Sequence, residues 1–197
     1  MTTLEIVLVI GAVALLAITV FAIATAKTYK ERHERLQKRF GSEYDRVLEQ
    51  TGDERKADRL LLGRVKRVDR FKIRPLPSAE KRLYQDRWHS IQERFVDSPQ
   101  GAVRDAHELV LQLMSAIGYP DAEVDQRIED VSVHHPELVG HYRAACDVAR
   151  GARTSTASTE DLRQATIHYR ALFDELLEEH PPKRSWVPGR EPEPART

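Results

Sequence analysis

The chain has 197 residues, with 31 Lys and Arg balanced by 31 Asp and Glu, a formal net charge of zero and a single cysteine. Zero net charge argues against a free nucleic-acid binder, which needs a concentrated basic surface. The lone Cys146 excludes an intramolecular disulfide and any multi-thiolate metal site.

The balance is uneven along the chain. Residues 27–74 hold 16 Lys and Arg against 9 Asp and Glu, leaving 15 against 22 elsewhere. That positive stretch directly follows an apolar run, Leu4 to Ala26 (LEIVLVIGAVALLAITVFAIATA), in which Glu5 is the only ionisable side chain. Twenty-three residues at about 1.5 Å rise make a helix of roughly 35 Å, enough to cross a hydrocarbon core of about 30 Å. The run therefore predicts a transmembrane anchor over residues 1–26, with Glu5 near its edge, where a carboxylate reaches the interface. Ala24-Thr25-Ala26 also spells an A-x-A cleavage pattern, so a signal peptide removed before Lys27 is the alternative. Against cleavage stand the missing Lys or Arg ahead of the run and its length.

Lys27, Lys30, Arg32, Arg35, Lys38 and Arg39 crowd the far side of the run. Basic residues stay on the cytoplasmic side, so the N-terminus is expected outside and the remaining chain in the cytoplasm. These six residues are also the expected contact with anionic lipid headgroups, each such residue contributing about 1 kcal/mol near a charged bilayer.

Residues 27–77 read as a charged helical stalk and linker. The helix runs on from Lys27 to Phe40. Gly41 stops it, Ser42 can cap a short helix with Tyr44, Val47 and Leu48, and Thr51-Gly52-Asp53 form the next stop and start. From Asp53 to Arg70 the pattern is helical with Leu60, Leu61, Val65 and Val68 on one side. Pro75 and Pro77 in FKIRPLP then end helical structure.

Residues 78–179 read as an antiparallel bundle of about four or five helices. Tyr84, Trp88, Ile91 and Phe95 recur at helical spacing and form a core stripe. After Pro99 at a first helical position come Val103, Ala106, Val110, Leu113 and Ile117, stopped by Gly118. Val124, Ile128 and Val131 mark a short helix within Asp121 to Val133. Pro136 starts another, with Leu138, Val139, Tyr142, Ala145 and Val148. Gly151 to Ala157 is a loop, and Ser158 with Asp161 gives a capping signal ahead of Leu162, Ala165, Tyr169, Leu172, Phe173 and Leu176. Residues 180–197 are Pro-rich and charged, the composition of a disordered tail.

No constellation carries chemistry. His134, His135 and His141 lack the i, i+4 arrangement of a helical zinc motif, and His134 and His135 suit a helix junction before Pro136. His168 with Asp174 and Glu175 reads as surface pairing, and Cys146 in AACDVA as a small core residue. No E-x-x-H pair, phosphate-binding glycine loop or G-x-S-x-G context occurs. The expected function is accordingly non-catalytic, without cofactor or metal: a membrane-held module for binding another protein.

Several stretches, RFGSEYDRVLEQTGD (Arg39 to Asp53), IRPLP (Ile73 to Pro77), RFVDSPQGAV (Arg94 to Val103), GYP (Gly118 to Pro120) and STEDLRQATIHYRALFDELL (Ser158 to Leu177), together resemble an uncharacterised bacterial, actinobacterial-type family of single-pass membrane-anchored or secreted helical proteins. The resemblance implies a bacterial origin and the single-anchor layout. It implies no activity or catalytic residue.

Overall fold

The computed structural model describes residues 3–153 and 157–178, apart from the side chains of residues 3–10, 12–14 and 153. Every regular element among them is helical: α1 (Thr3–Phe40), α2 (Ser42–Thr51), α3 (Glu54–Val68), α4 (Ser78–Arg94), α5 (Pro99–Ile117), α6 (Val124–Val131), a 3-10 turn (Pro136–Leu138), α7 (Val139–Arg153) and α8 (Thr159–Glu178). The expected tail at residues 180–197 lies outside the described residues.

The chain divides into two units, Met1–Arg39 and Phe40–Thr197. In the first, α1 is one uninterrupted helix through the apolar run and the basic stretch. The transmembrane expectation finds no support at this level, because no helix among the described residues is long and apolar enough to cross a membrane.

In the second unit, the elements at residues 42–68 are packed rather than stalk-like. Tyr44, Val47, Ala57, Leu61, Val65 and Val68 are all buried, and α3 packs on α2 and α6, while α2 meets the 3-10 turn. Gly41 rather than Ser42 holds the N-cap position of α2. Leu60, expected on the apolar side of α3, is 53% exposed. Gly52 closes α2 in the left-handed conformation, and Asp53 caps α3 by accepting the Lys56 N–H at 2.9 Å.

The five helices α4 to α8 form the main core, and cross-contacts give the direction of its neighbours. Tyr84 pairs with Gln112 and Arg94 with Asp105 across α4 and α5. Lys81 reaches Glu178, while Trp88 stacks on Phe173 across α4 and α8. His141 meets His168 across α7 and α8, with His135, just ahead of α7, against Glu175. Helix α4 thus runs antiparallel to α5 and to α8, and α7 antiparallel to α8, which leaves α5 and α8, themselves packed together, parallel to each other. The core stripes read from the sequence on α5 and α8 are buried throughout, as are Trp88 and Ile91, with Tyr84 and Phe95 partly buried against them. Ser158 and Asp161 form the reciprocal cap of α8: Asp161 N–H donates to Ser158 Oγ at 3.1 Å, and Ser158 N–H to Asp161 Oδ2 at 2.9 Å. Helix α7 runs on through Arg153, into the stretch read as a loop.

The Pro-rich segment 69–77 is a strap, not a free linker. Leu76 is buried, Phe71 and Ile73 pack on the core, and Arg74 N–H donates to Ile117 O at 2.9 Å. Gly118 ends α5 at φ +108°, where a Cβ would lie 2.4 Å from the Lys72 carbonyl oxygen. Gly118→Ala is therefore expected to lose about 2 kcal/mol or more from backbone strain and the clash. Gly63→Ala, on helical backbone with nothing within 4 Å, should gain up to about 1 kcal/mol. Thermal melts of the full chain in detergent measure both, and equal melting temperatures would refute the strap contact.

Candidate functional site

On α1, Leu15, Leu16, Ile18, Val20, Phe21 and Ile23 are each between 58% and 71% exposed. At 3.6 residues per turn these six point to every side of the helix axis, unlike the one-sided stripe of a helix docked on a single partner face. The hydroxyls in this stretch are satisfied within the helix: Thr19 donates to Leu15 O at 2.7 Å, Thr25 to Ala22 O at 2.9 Å and Thr28 to Ala24 O at 2.8 Å. Such pairing leaves no hydroxyl donor that needs water. Of the basic residues that follow, Lys27, Lys30, Arg35 and Lys38 are exposed, while Arg32 and Arg39 are partly buried. Arg32 lies 5.6 Å from the Tyr29 ring centroid, and Arg35 pairs loosely with Glu31 at 3.8 Å. The side chain of Leu4 lies outside the described residues.

In the second unit, a buried ion network joins α2, α3, α6 and α7. Glu43 Oε1 accepts from Arg46 at 2.6 Å, Arg64 at 2.8 Å and Arg143 at 3.4 Å, and Oε2 accepts from Arg46 Nε at 2.8 Å. Arg64, with a side chain 7% exposed, also donates to Glu129 at 3.1 Å. Arg67 donates to Glu129 at 3.0 Å and Asp130 at 2.8 Å. Burial by itself would raise the Glu43 carboxyl, but the hydrogen bonds from Arg46 and Arg64 and the charges of Arg46 and Arg143 outweigh it and hold it below the usual carboxylate range. Burial and the like charges of Arg46 and Arg64 lower Arg143, against the pull of Glu43. A carboxylate locked ionised among guanidiniums is a poor proton donor at neutral pH; this arrangement cross-links helices. The sequence reading missed it, because its partners lie up to 100 residues apart and no local spacing signals them.

The histidines are paired across helices. His141 Nδ1 and His168 Nδ1 stand 2.8 Å apart, and burial together with His141 lowers the pKa of His168. His107 Nδ1 lies 2.9 Å from the Tyr169 hydroxyl, which donates to Cys146 Sγ at 3.9 Å. Burial pushes the Cys146 thiol up to about 11, only partly opposed by that hydrogen bond. It is a thiol, not a thiolate, at neutral pH, and so a weak nucleophile.

Between α4 and α8 lies a cavity of about 280 Å³ lined by Gln92, Phe95, Arg163, Thr166, Ile167 and Arg170. Phe95 and Ile167 give it apolar lining, and its two arginines are each paired with a carboxylate, Arg163 with Glu160 at 2.7 Å and Arg170 with Asp174 at 2.6 Å. That is room for one or two side chains of a partner rather than for a large cofactor. Comparison with protein families, curated proteins and solved structures returns no match for this chain.

Proposed function

We propose that this chain is a single-pass membrane-anchored helical module that holds a non-catalytic protein-docking bundle against the bilayer surface. In this reading Leu4 to Ala26 spans the membrane, the N-terminus is outside, and the body is cytoplasmic. The observation that carries it is the exposure of six large apolar side chains on all sides of α1. Water tolerates such a surface poorly, and a hydrocarbon environment matches it on every side. The basic residues from Lys27 to Arg39 supply the headgroup contact, and the cavity between α4 and α8 offers a partner protein an apolar seat with two paired arginines. Membership of the resembled bacterial family belongs to the same proposal.

The native protein is expected in the membrane pellet after alkaline extraction, with an intact mass that includes residues 1–26. Leu15→Arg with Leu16→Arg should release it, since each central arginine costs about 3 kcal/mol of insertion. Recovery of wild-type protein in the soluble fraction, beginning at Lys27, would overturn the anchor in favour of an exported, cleaved envelope protein.

A further inference from the structure

His135 sits in the turn between α6 and α7. Its backbone is tied on both sides, His135 N–H donating to Val131 O at 2.9 Å and Leu138 N–H to His135 O at 3.1 Å, with Pro136 fixing the chain between. Its side chain is only 10% exposed, and its Nδ1 faces two carboxylates: Glu137, two residues on, at 3.8 Å and Glu175, from the last turn of α8, at 3.5 Å. One donor atom from each of the three residues lies within 4.8 Å of the other two.

These separations are too long for good charge-assisted hydrogen bonds, which lie near 2.7–2.9 Å. They are close to the roughly 3.4 Å edges of a tetrahedron with bonds of about 2.1 Å, the length of zinc–nitrogen and zinc–carboxylate bonds. We propose that His135, Glu137 and Glu175 form a binding site for a divalent transition-metal ion, with Zn²⁺ the ion whose chemistry fits best. The imidazole nitrogen favours a borderline cation over Mg²⁺ or Ca²⁺, and three protein ligands leave one position open. That position faces solvent, since the Glu137 and Glu175 side chains are 62% and 55% exposed. A bound ion would tie the turn at Pro136 to α8, two elements that come together across 40 residues of chain.

Titration of the full-length protein in detergent with Zn²⁺ alone, followed by calorimetry, tests the site. One equivalent is expected to bind. Glu175→Gln and Glu137→Gln, at exposed positions where folding survives, should each weaken binding at least tenfold without moving the melting temperature of the metal-free protein. His141→Asn, in the neighbouring histidine pair, should leave binding unchanged. Co²⁺ in place of Zn²⁺ should give the visible absorption of a tetrahedral site, absent in Glu175→Gln. No uptake of Zn²⁺, or uptake that Glu175→Gln leaves intact, would sink the proposal.

Discussion

Glu43→Ala is expected to destabilise the protein by about 3 to 5 kcal/mol, the loss that follows when one partner of a buried ion pair is removed. The alanine leaves Arg64 buried with only Glu129 to answer it, and takes from Arg46 and Arg143 the carboxylate they share. A loss of that size should lower the melting temperature by about 10 °C. Removing the two ends together, with Glu43→Leu and Arg64→Leu, is expected to recover part of the loss, because the most deeply buried guanidinium then goes with its carboxylate and only the more exposed Arg46 and Arg143 lose theirs. The effect also has a pH signature. The arginines hold the Glu43 carboxyl below its ordinary range in the folded chain, so its contribution is fully present above the unfolded value and disappears as pH falls through the folded one. The wild type should therefore lose stability at acid pH more steeply than Glu43→Ala. Parallel melting curves for the two proteins between pH 3 and 7 would refute this account of the network.

Trp88→Ala should cost about 3 to 5 kcal/mol, from lost transfer energy and the cavity left behind. Trp88 is fully buried, stacked on Phe173 at 4.8 Å between ring centroids, with the Arg170 guanidinium 5.5 Å from its ring. The indole N–H has no hydrogen-bond partner among the described residues, so the ring is used for its volume and its face. Trp88→Phe keeps an aromatic face and removes an unsatisfied buried donor, and is expected to cost far less than the alanine. Denaturant midpoints for the two variants decide the point: equal losses would mean that the indole nitrogen, rather than the ring, holds α4 to α8.

How far the fold can be read from the sequence follows from how its residues are stabilised. The stripes of α5 and α8 are legible because apolar burial leaves a 3.6-residue period, and the caps at Asp53, Pro99, Gly118 and Ser158 are legible because each answers a local backbone need. The packing of residues 42–68 into the body is not, because their buried positions include Glu43, Asp58 and Arg64. A charged side chain reads as solvated unless its counter-charge is known, and Arg64 meets Glu129 across 65 residues. The same holds for His141 and His168, which come from facing helices 27 residues apart. The strap at 69–77 was opaque for another reason: its prolines signal the end of a helix, but not the surface against which the chain then lies.

The reach of the Glu43 network also sets an order of events during synthesis. Arg143 emerges 100 residues after Glu43, roughly 5 to 20 s later at ordinary elongation rates of about 5 to 20 residues per second. Through that interval α2 and α3 can pair Glu43 with Arg46 and Arg64, but Arg64 and Arg67 wait for Glu129 and Asp130 on α6, and Glu43 waits for α7. The ion pairs of the first-made elements of the body are thus completed by α6 and α7. The ion network can close only once α7 has left the ribosome.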